Sequence, residues 1–407
     1  MIRSPSKSLS SARLAVLAAG TFVLGVDSFV LAGLLPAVVQ DLHVSLAQAG
    51  QLTTAFALTY AIGSPLIATV TGRLDRRFVL VGGMVVFLLG MVGQALGPTY
   101  GVVMAGRILA ASGAAGFQAN AYAVVAFLSA PERRARSLAM VGAGSSLAMV
   151  IGVPVGALVG QHLGWRAALW LITGGAVVAA ALCLALPGVR LPVASLRERV
   201  RILGTPGVLL LLCGTALQLV PLYAVLSYVA PVIGAQGQTA TSAVVALLVF
   251  GVAFFAGNRL VGPLTDRWGG LRVITVGLTV SALALIALWI VRSSLVPAMA
   301  ALAVLGLVGS FQVTPQQTRV FAASGAAATV ALGLNGSMIY VGSGGGAALG
   351  GGVITLAGVG FVPLVAAGAA VVALAFLWAV APERREARDQ RVGAGADLHP
   401  EIDKETI

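Results

Sequence analysis

A single carboxylate lies in the middle of a long apolar segment of this sequence. Asp27 stands near the centre of GTFVLGVDSFVLAGLLPAVV (20–39), and of the thirteen acidic residues it alone lies so deep in such a segment. An ionised Asp at the middle of a lipid-spanning helix costs about 2.5–3.5 kcal/mol. Because burial disfavours the charged form of a carboxyl, we interpret Asp27 as a proton-coupling residue that loads and releases a proton near neutral pH. The alternative is a structural carboxylate that pairs with an arginine or bonds a neighbouring helix.

Three polar residues of the segment 101–128 fall on one face if that segment is a helix. Gln118 and Tyr122 follow Arg107 at a spacing that keeps them within about 60° of its direction on a 3.6-residue period, and small residues lie between them. Such a face is typical of a cavity wall, so all three are predicted to bind substrate. Arg107 could instead pair with Asp27 or extend to the outer headgroups.

Two segments of the second half carry further polar and aromatic side chains. Segment 295–318 has two glutamines one helical turn apart, with Pro315 between them and a phenylalanine beside them. Proline lacks an N–H and permits a bend there. Segment 207–232 adds one glutamine and a tyrosine. The predicted substrate contacts in these segments are Phe311, Gln312, Gln316, Gln218 and Tyr223.

The composition excludes a soluble protein. Of 407 residues, 58% are hydrophobic and 9% are charged, whereas soluble domains carry roughly 25% charged residues, and the mean hydropathy is +0.99. The net charge of +12 is distributed over alternate loops, which argues against nucleic-acid binding. Lysine occurs only at positions 7 and 404, so the chain has no GxxxxGK(S/T) nucleotide loop. Neither the two cysteines nor the three histidines match a metal-ligand spacing, and we expect no metal and no cofactor.

Twelve apolar segments are long enough, at about 20 residues, to cross a bilayer core of ~30 Å. We number them spans 1 to 12. The predicted fold class is an all-α membrane protein with twelve transmembrane helices in two pseudo-symmetric halves of six. The predicted limits are 14–38, 48–70, 79–96, 101–128, 137–160, 167–187, 207–232, 240–263, 273–291, 295–318, 328–356 and 361–381.

One long charged connection, 188–206, divides the chain into an N-terminal half (14–187) and a C-terminal half (207–381). Residues 1–13 are predicted to be a cytoplasmic N-terminus, and residues 382–407 a cytoplasmic tail that is disordered because it is polar and charged. Two parallel six-span halves around a central cavity are typical of a transporter whose substrate site lies near the midplane.

The loop charges predict the orientation. Loops after the even-numbered spans are rich in arginine, whereas those after the odd-numbered spans contain only Arg166 and Arg292. Because positive loops remain in the cytoplasm, both termini are predicted to be cytoplasmic.

A loop motif occurs once in each half. The sequence GPLTDRWGGLR (262–272), with Gly262, Asp266, Arg267 and Gly269, resembles the cytoplasmic loop signature G-x-L-x-D-R-x-G-x-x-R of the major facilitator superfamily. The copy GRLDRR (72–77) keeps Asp75 and Arg76 but lacks one residue and the second glycine. The resemblance covers almost the whole chain and implies that the aspartates and neighbouring arginines form a salt-bridge latch that stabilises the outward-facing state.

Further motifs indicate a branch of that superfamily. The stretches VDSFVLAGLLPAVVQDL, AGQLTTAFALTYAIGSPL, GVPVG and GWRAALW resemble bacterial twelve-span drug:proton antiporters, most closely the chloramphenicol and sugar-efflux group. In GVPVG, Gly152, Pro154 and Gly156 correspond to the antiporter signature of span 5, although Val153 separates the glycine and proline that are usually adjacent. The resemblance implies a gating role for these residues.

These observations predict a secondary active transporter that exports a small amphiphilic, drug-like compound in exchange for protons by alternating access. The alternative is a facilitator or symporter for a small polar metabolite such as a sugar. A membrane enzyme is disfavoured because the spans contain no deep histidine and one deep acid. The expected partners are a small-molecule substrate, protons and the lipid bilayer, with no nucleic acid. The protein is expected to be a monomer in the bacterial cytoplasmic (inner) membrane.

Overall fold

The computed structural model describes residues 10–130, 133–190, 196–234, 240–291 and 293–380, and within these ranges all regular structure is helical. Twelve helices there are long and apolar enough to cross a membrane, which confirms the predicted number of spans. The predicted disordered tail lies outside the described residues. The bounds of spans 1 to 12 are Ser11–Leu42, Leu46–Val70, Arg76–Leu96, Tyr100–Leu128, Arg136–Leu163, Trp165–Cys183, Pro206–Leu226, Thr241–Trp268, Gly270–Val291, Leu295–Ser324, Ala328–Ala357 and Val359–Ala379.

Two spans are interrupted one turn before a proline. Span 10 breaks into Leu295–Gly309 and Val313–Ser324, because Pro315 has no N–H for the carbonyl four residues earlier. The bend predicted at Pro315 is therefore confirmed. Span 7 ends at Leu226, earlier than predicted, and a short helix, Val229–Gly234, follows after a turn. Pro231 follows this break, as Pro315 follows the break in span 10.

Span 5 contains a π-helical turn, Ala148–Gly152, directly before Pro154. A widened turn lets the helix continue although the proline cannot donate to the preceding turn. Gly156 lies against span 1, since a Cβ there would come within 2.6 Å of Val30 Cγ2, and a Cβ on Gly152 would lie 3.1 Å from Phe22 Cζ. The small residues of GVPVG thus let span 5 approach the helix that carries Asp27.

Glycines also allow close packing inside each half. Spans 3 and 4 meet at Gly90, where a Cβ would lie 2.7 Å from the Ala110 Cα, and spans 7 and 11 meet at Gly346, where a Cβ would lie 2.8 Å from the Ala224 nitrogen. Apolar helices in lipid gain association energy mainly from such close approach. Each half is therefore a tightly packed six-helix unit.

The halves contact each other at the end of the bundle away from the termini, which we call the distal end. Tyr228, in the turn after span 7, is fully buried and donates a hydrogen bond to the Ala347 carbonyl at 2.9 Å. Its ring lies against Gly50 of span 2 and Gly350 of span 11, where a Cβ would come within 2.6 Å and 2.7 Å of ring carbons. Side chains of spans 5 and 8 also meet distally, where Gln161 donates to Thr241 at 3.3 Å.

The connection between the halves contains an amphipathic helix, Leu196–Leu203. Its Ile202 is 8% exposed and packs in an apolar cluster with Leu212 of span 7 and Val320 of span 10. The helix contacts span 2 of the N-terminal half as well as spans 7 and 11 of the C-terminal half. It therefore touches both halves at the end where the termini lie.

Candidate functional site

The central feature of the site is an ion pair between spans 1 and 4. Arg107 Nη1 donates to Asp27 Oδ1 at 2.6 Å, and Arg107 Nη2 donates to the Asp27 backbone carbonyl at 3.3 Å. The side chains are 0% exposed for Asp27 and 1% for Arg107. Of the alternatives open for Arg107, the structure forms the pair with Asp27, and an extension to the outer headgroups is wrong because the guanidinium is buried.

The hydrogen bonding of this pair is incomplete among the described residues. Asp27 Oδ2 and Arg107 Nε are both buried without a hydrogen-bond partner. The guanidinium carbon of Arg107 lies 4.3 Å from the centroid of the Phe56 ring, close enough for a cation–π contact. Oδ2 is therefore the carboxylate oxygen that Arg107 leaves unbonded.

An aromatic cluster from both halves covers the pair. Tyr60 of span 2 and Tyr340 of span 11 stack with ring centroids 3.6 Å apart, and Phe56 lies 6.5 Å from Tyr340. The Tyr340 hydroxyl interacts with Ser28 and lies within electrostatic range of Asp27. Neither Tyr60 nor Tyr340 was predicted for the site, although the one tyrosine within the glycine-rich stretch of span 11 is a signal in the sequence.

Other predicted contacts reach the same region. Tyr223 of span 7 stacks on Phe29 of span 1 across the two halves, with centroids 6.1 Å apart and an interplanar angle of 17°. Gln118 and Tyr122 of span 4 are both half-buried, and Tyr122 is within electrostatic range of Tyr340. Of these predicted contacts, Arg107 bonds Asp27, and Tyr223 reaches span 1 through Phe29.

Three of the predicted glutamines, Gln218, Gln312 and Gln316, are buried inside the C-terminal half. Gln316 donates to the Leu211 carbonyl at 2.6 Å and accepts from Arg319 at 3.1 Å. Gln218 and Gln312 are each 1% exposed, and the side-chain amide atoms of both have no hydrogen-bond partner among the described residues. Buried amides without partners are costly, so these two are available to a polar ligand or to water.

Phe311 does not share that environment. It belongs to an apolar cluster with Val261, Val273 and Val308, formed by spans 8, 9 and 10. A Cβ on Gly277 of span 9 would lie 3.0 Å from the Phe311 Cβ. The structure therefore places Phe311 in the packing of the C-terminal half, between spans 8, 9 and 10.

The first loop motif forms a different set of bonds from the predicted salt bridge. Asp75 caps the start of span 3 and accepts from the backbone N–H groups of Arg77 at 2.9 Å and Val189 at 3.1 Å. Arg76 is 3% exposed and donates to Asn120 Oδ1 of span 4 at 2.8 Å. Asp75 makes no ion pair with a described arginine in this structure, and its Oδ1 accepts both of these backbone bonds.

The second loop motif is exposed at the turn between spans 8 and 9. Gly269 has φ +80°, a left-handed conformation that favours glycine. Asp266 and Arg267 are exposed, and a Cβ on Gly262 would meet nothing within 4 Å. The turn explains Gly269, whereas a latch formed by Asp266 and Arg267 stays a prediction.

Comparison with known proteins agrees with this architecture. The family model described as Major Facilitator Superfamily matches residues 17–330. The chain is 32% identical to the inner membrane transport protein YdhP of Escherichia coli K12, over 92% of this chain and 96% of that protein. It is 35% identical to a chloramphenicol resistance protein of Streptomyces lividans, over 62% of this chain and 66% of that protein.

Two solved structures share the fold. The D-xylose–proton symporter has a TM-score of 0.75 at 16% identity, over 90% of this chain and 97% of that chain. A bacterial homologue of the human lysosomal transporter Spinster, in an inward-facing and occupied conformation, has a TM-score of 0.73 at 19% identity, over 90% of this chain and 96% of that chain. The family match and the similarity to YdhP and to the chloramphenicol resistance protein show that the chain belongs to the major facilitator superfamily, among its bacterial drug-efflux-like transporters.

Proposed function

We propose that this protein exports a small amphiphilic, drug-like compound across the bacterial cytoplasmic membrane in exchange for protons. The observation that carries the proposal is the buried Asp27–Arg107 pair, with one carboxylate oxygen unbonded, beneath aromatic residues of both halves. A buried charge pair is weak evidence for stability, whereas intramembrane ionisable residues typically mark ion pathways.

Proton exchange at Asp27 would act through Arg107. When Oδ2 takes up a proton, the carboxyl becomes neutral and its attraction for the guanidinium falls. Arg107 is then free to turn toward substrate while it keeps its contact with the Phe56 ring. Loss of the proton restores the pair. The pair thus gives two arrangements of one site, which alternating access requires.

The driving force is sufficient for concentrative export. A membrane potential contributes ~2.3 kcal/mol per charge per 100 mV, and one pH unit contributes about 1.4 kcal/mol. One proton per cycle therefore sustains a substrate gradient of roughly a hundredfold or more.

The walls of the site favour a neutral or weakly cationic amphiphile. Phe29, Phe56, Tyr60, Tyr223 and Tyr340 supply apolar faces with a few hydroxyl groups. The ion pair has no net charge, so it offers no strong site for a multiply charged anion. The similarity to a protein named for chloramphenicol resistance supports a drug-like substrate.

The closed distal end has a direct interpretation if both termini are cytoplasmic, as the loop charges predict. The distal end is then the outer face, and Tyr228 with its glycine contacts closes it. The site would exchange substrate and protons with the cytoplasm in this state. In the opposite, outward-facing state, Asp75 and Asp266 would form the latch through salt bridges with neighbouring arginines.

A facilitator or symporter for a sugar-like metabolite is the second candidate. The unpartnered amides of Gln218 and Gln312 favour it, because amides bind hydroxyl-rich ligands well. Transport that is insensitive to an uncoupler would select a facilitator, and proton movement in the same direction as the substrate would select a symporter.

The test uses two aspartates of the same span. A drug-susceptibility panel in an efflux-deficient host identifies a substrate, and proteoliposomes with an imposed pH gradient then measure its transport. Asp27→Asn is expected to abolish uphill, uncoupler-sensitive transport. Asp41→Asn is the matched control, because Asp41 lies at the distal end of span 1, 42% exposed, and bonds Arg166 and Trp165. Uphill pumping by the Asp27→Asn protein would refute the proposal.

A further inference from the structure

Three helix ends of the C-terminal half border an open surface cavity that the transport site does not use. The end of span 8, the start of span 9 and the end of span 12 line a space of about 380 Å³. Spans 8, 9 and 12 contribute no residue to the Asp27–Arg107 pair. The cavity lies at the level where these spans end, which is the level of the membrane–water interface. Its lining residues are Trp268, Arg272, Thr275, Val276 and Trp378.

The lining combines two indole rings with one guanidinium. Trp268 and Trp378 are 42% and 43% exposed, and Arg272 is exposed. Tryptophan prefers the headgroup level of a bilayer because its ring is apolar and its N–H is polar. Arginine binds phosphate through two parallel N–H donors. A cavity with both groups suits a molecule that has a phosphate and an apolar part.

The start of span 9 adds to the preference for an anion. The helix begins at Gly270, directly after the left-handed Gly269, and Arg272 lies in its first turn. The positive end of the helix dipole is therefore adjacent to the guanidinium. Thr275 lines the cavity but offers no hydroxyl proton to a ligand, because its hydroxyl already donates to the Leu271 carbonyl at 2.9 Å.

The described residues of this turn leave a positive charge. Arg267 and Asp266 are both exposed just before Trp268, so their charges offset each other and the charge of Arg272 remains. A zwitterionic headgroup would bring its own cation next to this arginine, whereas an anionic headgroup would not. The cavity is in the size range of small-ligand sites.

We infer that this cavity binds an anionic phospholipid, with the phosphate on Arg272 and the glycerol and upper acyl carbons between Trp268 and Trp378. Basic pockets between transmembrane helices on the cytoplasmic side bind anionic headgroups in this way. If the termini are cytoplasmic, the lipid comes from the inner leaflet. The inference does not depend on the transported substrate.

Native mass spectrometry of the purified full chain tests the inference. The protein is equilibrated with phosphatidylglycerol, phosphatidylcholine, or inorganic phosphate alone. We expect retention of one phosphatidylglycerol, weaker retention of phosphatidylcholine and none of free phosphate. Arg272→Gln should reduce phosphatidylglycerol retention about tenfold, which corresponds to ~1.4 kcal/mol.

Two further variants complete the test. Arg259→Gln is the matched control, since Arg259 is an exposed arginine of span 8 that lies 5.1 Å from the Phe255 ring, outside the cavity. Trp378→Leu keeps all charges and should also weaken phosphatidylglycerol retention, which keeps the inference testable if Arg272→Gln does not fold. The inference would be overturned if wild type and either cavity variant retained phosphatidylglycerol equally, or if wild type retained the two lipids equally. Either result would indicate nonspecific annular lipid only.

Discussion

The Asp27–Arg107 pair allows a quantitative test of how the site is built. We consider Asp27→Asn, Arg107→Gln and the double variant. Each single change leaves one ionisable group buried at 0–1% exposure without its charged partner. The double variant replaces both charges by amides that can bond each other.

The expected energies follow from burial and from the chemistry of the two groups. Removing one partner of a buried pair costs about 3–5 kcal/mol, whereas replacing both is often close to neutral. The singles should differ from each other. Asp27 can take up a proton and become neutral, but Arg107 cannot lose its charge. We therefore expect Asp27→Asn to destabilise the protein more than Arg107→Gln, and the coupling energy to exceed about 1.5 kcal/mol.

The free energy of unfolding can be followed through a native thiol. Cys183 is 0% exposed at the end of span 6 and becomes accessible when the N-terminal half unfolds. A thiol-reactive fluorophore in detergent micelles reports that exposure as denaturant or temperature rises. Cys213→Ser removes the other cysteine, which is half-buried in span 7.

Two results would contradict this reasoning. If the effects of the single changes are additive in the double variant, the ion pair contributes no coupling. If Arg107→Gln is the more harmful single change, the guanidinium has a structural role beyond its bond to Asp27, and the account of a carboxyl that exchanges protons at this pair fails.

Two further predictions concern the contacts between the halves. Gly50→Ala should impair transport without unfolding the protein, because the added methyl meets the Tyr228 ring and prevents distal closure. The double variant Gly50→Ala/Tyr228→Ala should restore part of the transport rate, and no recovery would argue against a closing role for this ring. Tyr340→Ala should raise the KM for substrate more than it lowers kcat, because it removes the stack on Tyr60, whereas Tyr340→Phe should keep a KM near that of wild type. Uptake into everted vesicles at several substrate concentrations measures KM and kcat. An unchanged KM in Tyr340→Ala would show that the Tyr60–Tyr340 stack does not contact the substrate.

The folding of the chain into twelve helices was predictable from the sequence because hydropathy is a local property. Lipid requires each spanning segment to satisfy its own backbone hydrogen bonds, so length and apolar content suffice to identify spans. The ends were less well predicted where prolines interrupt a helix, as at span 7, which ends six residues before the predicted limit of 232.

The site was predictable only in part, because its members are distant in sequence. Asp27 was recognisable as an isolated acid in an apolar segment, and its partner Arg107 is 80 residues away. Which of three roles Arg107 takes depends on the rotation of span 4 against span 1, and local periodicity does not determine that rotation. Phe311 packs in an apolar cluster with residues of spans 8 and 9, and its contact with substrate stays a prediction.

The sequence by itself determined the spans, the loop motifs and the one acid that a bilayer makes expensive, because each of these follows from the chemistry of neighbouring residues. The tertiary structure alone decided that Tyr60 and Tyr340 stack across the two halves and that Asp75 caps a helix instead of forming a salt bridge. Those outcomes depend on how close two helices can pack, and glycines in several different spans set that distance together.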